Sequence, residues 1–159
     1  MIPGMSEAHE AIARLIYIYA ERMDAADFDG IGALFAHAVM TAEGVPEVRR
    51  GSAEIKRQYV ESARVYPDTG TPKTKHVTTN VIIEVDEASG TATARSYFTV
   101  LQQTDVLPLQ PIIAGRYHDA FERIDGEWRF TKRHMICDLF GDLSQHLLFN
   151  LDALLGSQE

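Results

Sequence analysis

Apolar positions recur at spacings of three and four at Ile12, Leu15, Ile16, Tyr19 and Met23, and so draw one stripe along a helix. Arg14, Glu21 and Arg22 fall largely off that stripe. A second short helix is predicted after the Asp24-Ala25-Ala26-Asp27 step, with Asp27 as its cap and Phe28, Ile31, Leu34 and Phe35 as its buried side. Residues 38 to 50 hold two short segments around the turn signal Glu43-Gly44-Val45-Pro46. Ser52 then reads as the cap of a third helix running to about Arg64, with Glu54 in its first turn.

From Lys75 the period changes to two. Val77, Val81, Ile83 and Val85 alternate along a strand, and Asp86-Glu87-Ala88-Ser89-Gly90 turns the chain into a partner strand from Thr91 to Leu101. A third strand, about Ile112 to Ile124, turns at Asp125-Gly126 into Trp128 to Cys137. Leu143, Leu147, Leu148, Leu151, Leu154 and Leu155 read as a closing amphipathic helix. The order implies an α+β fold, a single domain over residues 1–159, in which a highly curved antiparallel sheet packs against N-terminal helices and leaves a concave space for a small ligand.

Composition narrows the function. The chain carries 15 Lys plus Arg against 23 Asp plus Glu, a formal net charge of −8, which argues against partnership with nucleic acid or an anionic membrane, since both reward a concentrated basic surface. A small neutral or weakly polar ligand fits better. The single cysteine, Cys137, forms no intramolecular disulfide and reads as a small buried residue; with no basic leader followed by an apolar run, a cytoplasmic protein is expected. There is no Gly-rich phosphate loop, HExxH, paired CxxC or GxSxG elbow. His9, His37, His76, His118, His134 and His146 show no short ligand spacing, so no metal site is predicted.

Four phrases carry a likeness to a known family: Tyr19-Ala-Glu-Arg-Met-Asp24-Ala-Ala-Asp27-Phe28-Asp29, Lys75-His76-Val-Thr-Thr-Asn80, Gly115-Arg-Tyr117-His-Asp119, and Gly126-Glu-Trp128-Arg-Phe130-Thr-Lys-Arg133. They resemble the SnoaL-like branch of the nuclear transport factor 2-like superfamily. Within it the chain is most similar to the cofactor-independent scytalone dehydratase, bile-acid 7-dehydratase and hexachlorocyclohexane dehydrochlorinase group. The resemblance spans nearly the whole chain and implies a cone-shaped, cystatin-like α+β barrel with an Asp-His pair in its pocket. Asp24 falls where those enzymes carry the helix-one aspartate, His76 where the catalytic histidine opens the first long strand, Tyr19 at a tyrosine of the bile-acid enzyme, and Arg133 at the dehydrochlorinase arginine. Two of those relatives use a second tyrosine from the strand after helix two. Here that stretch reads Val39-Met-Thr-Ala-Glu43, leaving Thr41 or Glu43 as substitutes and a different leaving group or an isomerisation open.

The chemistry of the set follows from its groups. Abstraction of a proton next to a carbonyl or leaving group needs a base that titrates near neutrality, which imidazole is. A carboxylate on one ring nitrogen fixes the tautomer and leaves the other to accept the proton. His76 is the candidate base and Asp24 its partner, with Tyr19 as hydrogen-bond donor and Arg133 balancing developing negative charge. No cofactor is then required. Strict alternation sets His76 opposite Val77, Val81, Ile83 and Val85, so it faces either solvent or a polar pocket. Asp24 reads equally as a helix-end cap, and Tyr19 as a packed ring. Only one of Arg133 and His134 faces inward unless a bulge intervenes. Tyr97, Phe98, Tyr117, Phe121, Trp128, His134 and Met135 are the candidate pocket walls.

The expected function is a cofactor-independent lyase or isomerase, dehydratase-like or dehydrohalogenase-like, acting on a small hydrophobic alicyclic or aromatic substrate. The alternatives are a ligand-binding or structural subunit resembling the small subunit of ring-hydroxylating dioxygenases, and a polyketide-cyclase-like enzyme. The sheet's outer face and the leucine-rich end predict a homo-oligomer, and the resemblance favours a trimer over a dimer.

Overall fold

The stripe Ile12, Ile16, Tyr19 and Met23 is buried along one face of α1 (Glu7–Asp24) in the computed structural model, which describes residues 6–151. Ser6 caps α1 by accepting from the His9 N–H; Asp27 caps α2 (Phe28–Leu34) by accepting from Gly30, and this second cap is the one the sequence predicts. Helix α3 (Gly51–Ser62) begins differently. Ser52 is not its cap: its hydroxyl donates to the Gly32 carbonyl at 2.8 Å, tying α3 to α2, while Glu54 turns back to accept from the Arg50 N–H at 2.7 Å.

Six strands form one curved sheet: β1 (Val39–Ala42), β2 (Val45–Arg50), β3 (Thr74–Asp86), β4 (Thr91–Gln102), β5 (Gln110–Ile124) and β6 (Glu127–Phe140), in the order β2-β1-β6-β5-β4-β3. The sheet is mixed rather than purely antiparallel, because β1 runs parallel to β6. Asp125 and Gly126, both at positive φ, form the tight β5–β6 turn. The helices cover the concave face, and the core joins Ile12, Ile16 and Tyr19 to Ile31, Phe35, Phe98, Tyr117 and Phe130. At Gly115 any Cβ would collide first with the Ile136 carbonyl oxygen and would also fall 2.8 Å from the Phe98 ring, which stacks on Tyr117 at 4.5 Å between ring centres.

Two bulges decide which side chains enter this concave space. In β3, Thr79 pairs with Tyr97 and Ile82 with Arg95, so Asn80 and Val81 together oppose Ser96. Asn80 takes φ 53°. The extra residue reverses the alternation: Thr74, His76 and Thr78 point inward before it and Val81, Ile83 and Val85 after it, while Val77 is exposed. The sequence expectation that Val77 shares a face with Val81 fails for this reason. In β6 the register shifts between the Ala120–Lys132 and Phe121–Phe130 pairs, which leaves Thr131 extra and turns both Phe130 and Arg133 inward.

The predicted closing helix is not formed over residues 141–150, where the chain turns and Leu147 bridges to Ala63. Leu154 and Leu155 lie outside the described residues. Among the described residues no helix is long and apolar enough to cross a membrane.

Candidate functional site

Asp24 closes α1 and His76 opens β3, and their side chains meet. His76 Nδ1 lies 2.7 Å from Asp24 Oδ1, and the same carboxylate accepts from the His76 backbone N–H at 2.9 Å and from the Thr74 hydroxyl at 2.9 Å. The pair is withdrawn from water, the two side chains being 6% and 13% exposed. A carboxylate at a helix C-terminus sits at the negative end of the helix dipole, and burial also works to raise its pKa. The His76 ring, the His76 N–H and the Thr74 hydroxyl outweigh burial and hold Asp24 below the ordinary carboxylate value. An ionised carboxylate only accepts, so the proton between the two groups is on Nδ1 and a neutral His76 keeps its lone pair on Nε2.

Tyr19 lies one turn earlier on α1, with its ring edge-on to His76 at 6.3 Å between centres. Its hydroxyl is 2.9 Å from that of Tyr59 on α3, and Tyr59 reaches Met40 Sδ at 3.5 Å. A second phenol is therefore present although the strand after α2 has none: α3 supplies it, beside Met40 of β1. Burial pushes Tyr19 up and Tyr59 and Tyr117 well above the ordinary phenol value, so all three stay protonated near neutrality. Thr41 and Glu43 do not take the missing phenol's place. They bind His134 on the other face, Thr41 Oγ1 at 2.7 Å from Nδ1 and Glu43 Oε2 at 3.0 Å from Nε2.

Arg133 is fully buried and His134 is not, which resolves the choice that alternation left open. The guanidinium lies over the rings of Tyr117 and Tyr19, 3.8 and 4.4 Å from their centres. Asp119 takes Nε and Nη2 in two parallel hydrogen bonds of 2.8 Å, so the Arg133 charge is already neutralised. Burial alone would lower the Arg133 pKa, but Asp119 holds it above its ordinary value. Nη1 has no partner, leaving one buried donor beside the phenols.

The predicted pocket walls do not share one hollow. Phe98, Tyr117 and Phe121 are buried in the core. Tyr97 alternates outward on β4 and is 52% exposed. Trp128 lies at the far end of the β5–β6 hairpin beneath the Arg123 guanidinium, lining a recess with Glu7 and Arg14. His134 points to the outer face. Met135 lines a cavity of about 370 Å³ with Met40, Thr41, Gln58 and Phe149, and this cavity adjoins the phenol pair through Met40. Cys137 is half-buried, and burial pushes its thiol up, away from nucleophilic reactivity. Among the described residues no group of three or more His, Cys, Asp or Glu is placed to hold a metal ion.

Four residues of this constellation were not singled out as site residues in the sequence: Thr74, Tyr59, Asp119 and His146. Asp119 was within reach, since it shares the inward phase of Gly115, Tyr117 and Phe121. Tyr59 lies one turn beyond Ile55, also buried on α3. His146, in an irregular segment, gave no periodic signal.

No curated protein matches the chain. Solved structures do. A nuclear transport factor 2-like protein with a cystatin-like fold from Novosphingobium aromaticivorans is 20% identical and superposes with a TM-score of 0.70, covering 87% of this chain and 86% of that one. A candidate scytalone dehydratase from the same organism is 21% identical, with a TM-score of 0.66 over 85% of this chain and 87% of that one. The beta subunit of a candidate aromatic-ring-hydroxylating dioxygenase, also from that organism, is 18% identical with a TM-score of 0.66 over 84% and 90%. At such identities the likeness establishes the fold. The SnoaL-like domain family matches residues 4–134, most of the chain and both members of the Asp24–His76 pair. The chain thus belongs to the SnoaL-like family, built on the cystatin-like, nuclear transport factor 2-like fold.

Proposed function

We propose that the protein is a cofactor-independent lyase or isomerase that takes a proton from a small hydrophobic alicyclic or aromatic molecule. One observation carries this reading: a buried imidazole held through Nδ1 by a carboxylate 2.7 Å away. Asp24 fixes the tautomer in which Nε2 accepts a proton, and its negative charge stabilises the imidazolium that forms. Tyr19, its ring edge-on to His76, is a donor for a substrate oxygen or leaving group, and the unpartnered Nη1 of Arg133 offers a further N–H beside the phenols. The likeness in fold to a candidate scytalone dehydratase supports elimination as one outcome of that proton transfer. Trials with cyclic ketones, scored by deuterium uptake, and with hydroxy or halo derivatives, scored by loss of water or halide, cover both outcomes. The expected result is that His76→Gln lowers turnover of any active compound at least about 100-fold. Turnover unchanged in that variant overturns the reading.

The protein assembles, in this reading, as a homo-oligomer, with a trimer favoured. Leu139, Phe140, Leu148 and Phe149 are exposed large apolar side chains, the kind of surface that a contact between subunits covers. Light scattering that finds a monomer at micromolar concentration overturns this.

A further inference from the structure

His146 is the one histidine near the pair that the mechanism above does not use. It is 7% exposed, and its Nδ1 is buried with no hydrogen-bond partner. A buried polar atom without a partner costs about 1–3 kcal/mol, so its presence in a folded core calls for a ligand or a function. Its position is firmly set. The His146 carbonyl accepts from Arg64 N–H at 2.7 Å, the Leu148 N–H donates to Ser62 at 2.9 Å, and the preceding Gln145 carbonyl accepts from Tyr66 Oη at 2.6 Å and from Gln102 Nε2 at 3.1 Å. These ties hold the imidazole edge-on to His76, with 6.4 Å between ring centres.

We propose that His146 is a second catalytic imidazole of this site, donating a ring N–H to the carbonyl oxygen of a ketone substrate while His76 removes the adjacent proton. This rests on the reading of His76 as the base. The His146 pKa supports it: burial, together with the His76 charge and against the pull of Asp24, lowers it to about 4. The ring therefore stays uncharged at neutral pH, and an uncharged imidazole polarises a carbonyl without surrendering a proton to it. In the step itself, His76 Nε2 takes the proton from the carbon beside the carbonyl. The C–H electron pair becomes the carbon-carbon double bond, the carbonyl π pair moves to oxygen, and the His146 N–H holds the resulting enolate. Return of the proton to that carbon gives exchange, and to a conjugated carbon gives isomerisation; no co-reactant is consumed. The substrate class is thereby narrowed to molecules with a carbonyl next to the acidic C–H bond.

Deuterium uptake into cyclohexanone in deuterium oxide, followed by proton nuclear magnetic resonance, tests this with one probe and four proteins. The wild-type chain is expected to exceed the buffer rate, His76→Gln to fall to it, and His146→Phe to lose about 100-fold. His146→Gln, which keeps an N–H donor, is expected to retain more activity than His146→Phe. If His146→Phe exchanges at the wild-type rate while His76→Gln is inactive, the His146 assignment is wrong and the base stands. Equal losses in the two His146 variants assign the residue to packing and also overturn the proposal. Wild-type-rate exchange by His76→Gln overturns the base itself. No uptake with wild type overturns the ketone class and the proposal, while loss of water or halide separately decides elimination by His76.

Discussion

Tyr59 stands 2.9 Å from Tyr19, hydroxyl to hydroxyl, so that α1 and α3 each contribute one phenol to the same buried point. The two rings are tilted at 59° with 6.2 Å between their centres, and Met40 closes the far side. Tyr59→Phe removes the long contact with Met40 Sδ together with the neutral hydrogen bond to Tyr19, and is expected to cost about 1 kcal/mol in urea unfolding. Tyr19→Phe removes the same bond. If Tyr19 alone donates to substrate, the two variants have similar stability while Tyr19→Phe loses the greater share of activity. Equal activity losses would mean that the phenols act as one packed unit.

The depressed pKa of Asp24 makes a second expectation about pH. Its folded carboxyl lies below the ordinary value of 3.8, so the unfolded chain binds the proton more readily and the ionised form favours the fold. That stabilisation is complete above the ordinary value and is lost as the pH falls through the lower folded value. Asp24→Asn is therefore expected to be less stable than wild type at pH 6, with the gap closing in strongly acidic solution. Urea midpoints across that range check it, and a gap independent of pH would show that packing rather than charge holds the pair. Activity in Asp24→Asn is expected to fall by roughly 100-fold or more, as when an imidazole loses its orienting carboxylate.

Much of this arrangement was legible in the chain and some was not, for identifiable reasons. The helix-one stripe, the Asp27 cap and the Asp125-Gly126 turn are local, each encoded within a few residues. The pairing of Asp24 with His76 was legible only through the family phrases, because 52 residues separate them and no local rule brings them together. Strand alternation was misread where an extra residue changes its phase: Asn80 in β3 and Thr131 in β6 each reverse the faces that follow. The leucine spacing after Leu143 suggested a helix, yet residues 143–148 are fixed by backbone pairing to Ser62 and Arg64 and by Tyr66, contacts of high sequence separation that periodicity does not register. His146 was lost in the same segment.

Arg133 and Asp119 give a third expectation. Both side chains are fully buried, joined by two hydrogen bonds of 2.8 Å. Removing one partner leaves an uncompensated buried charge, so Arg133→Met alone is expected to cost about 3–5 kcal/mol. The double change Arg133→Met with Asp119→Leu removes both charges and is expected to recover most of that loss. If the double variant restores stability but not turnover, Arg133 contributes to the reaction as well as to the fold. A double variant as unstable as the single one would show that the aromatic box around the guanidinium, not the charge pair, sets the cost.

Asn80 controls the direction of His76 from four residues away. Its φ of 53° lies in the left-handed region, which Asn tolerates and Gly adopts freely but a β-branched residue resists. The bulge lets the stretch before it aim His76 and Thr74 at Asp24 while Val81, Ile83 and Val85 still pack on the core. Asn80→Gly should leave both stability and activity close to wild type. Asn80→Val should cost about 1–2 kcal/mol through its backbone alone and should also lower activity, because a strand straightened there turns either His76 or the valines after it away from the concave face. The His76 ring signal in nuclear magnetic resonance reports which group moves. An Asn80→Val chain with an unshifted His76 signal and full activity would show that the β3–β4 pairing, rather than residue 80, fixes the orientation of the base.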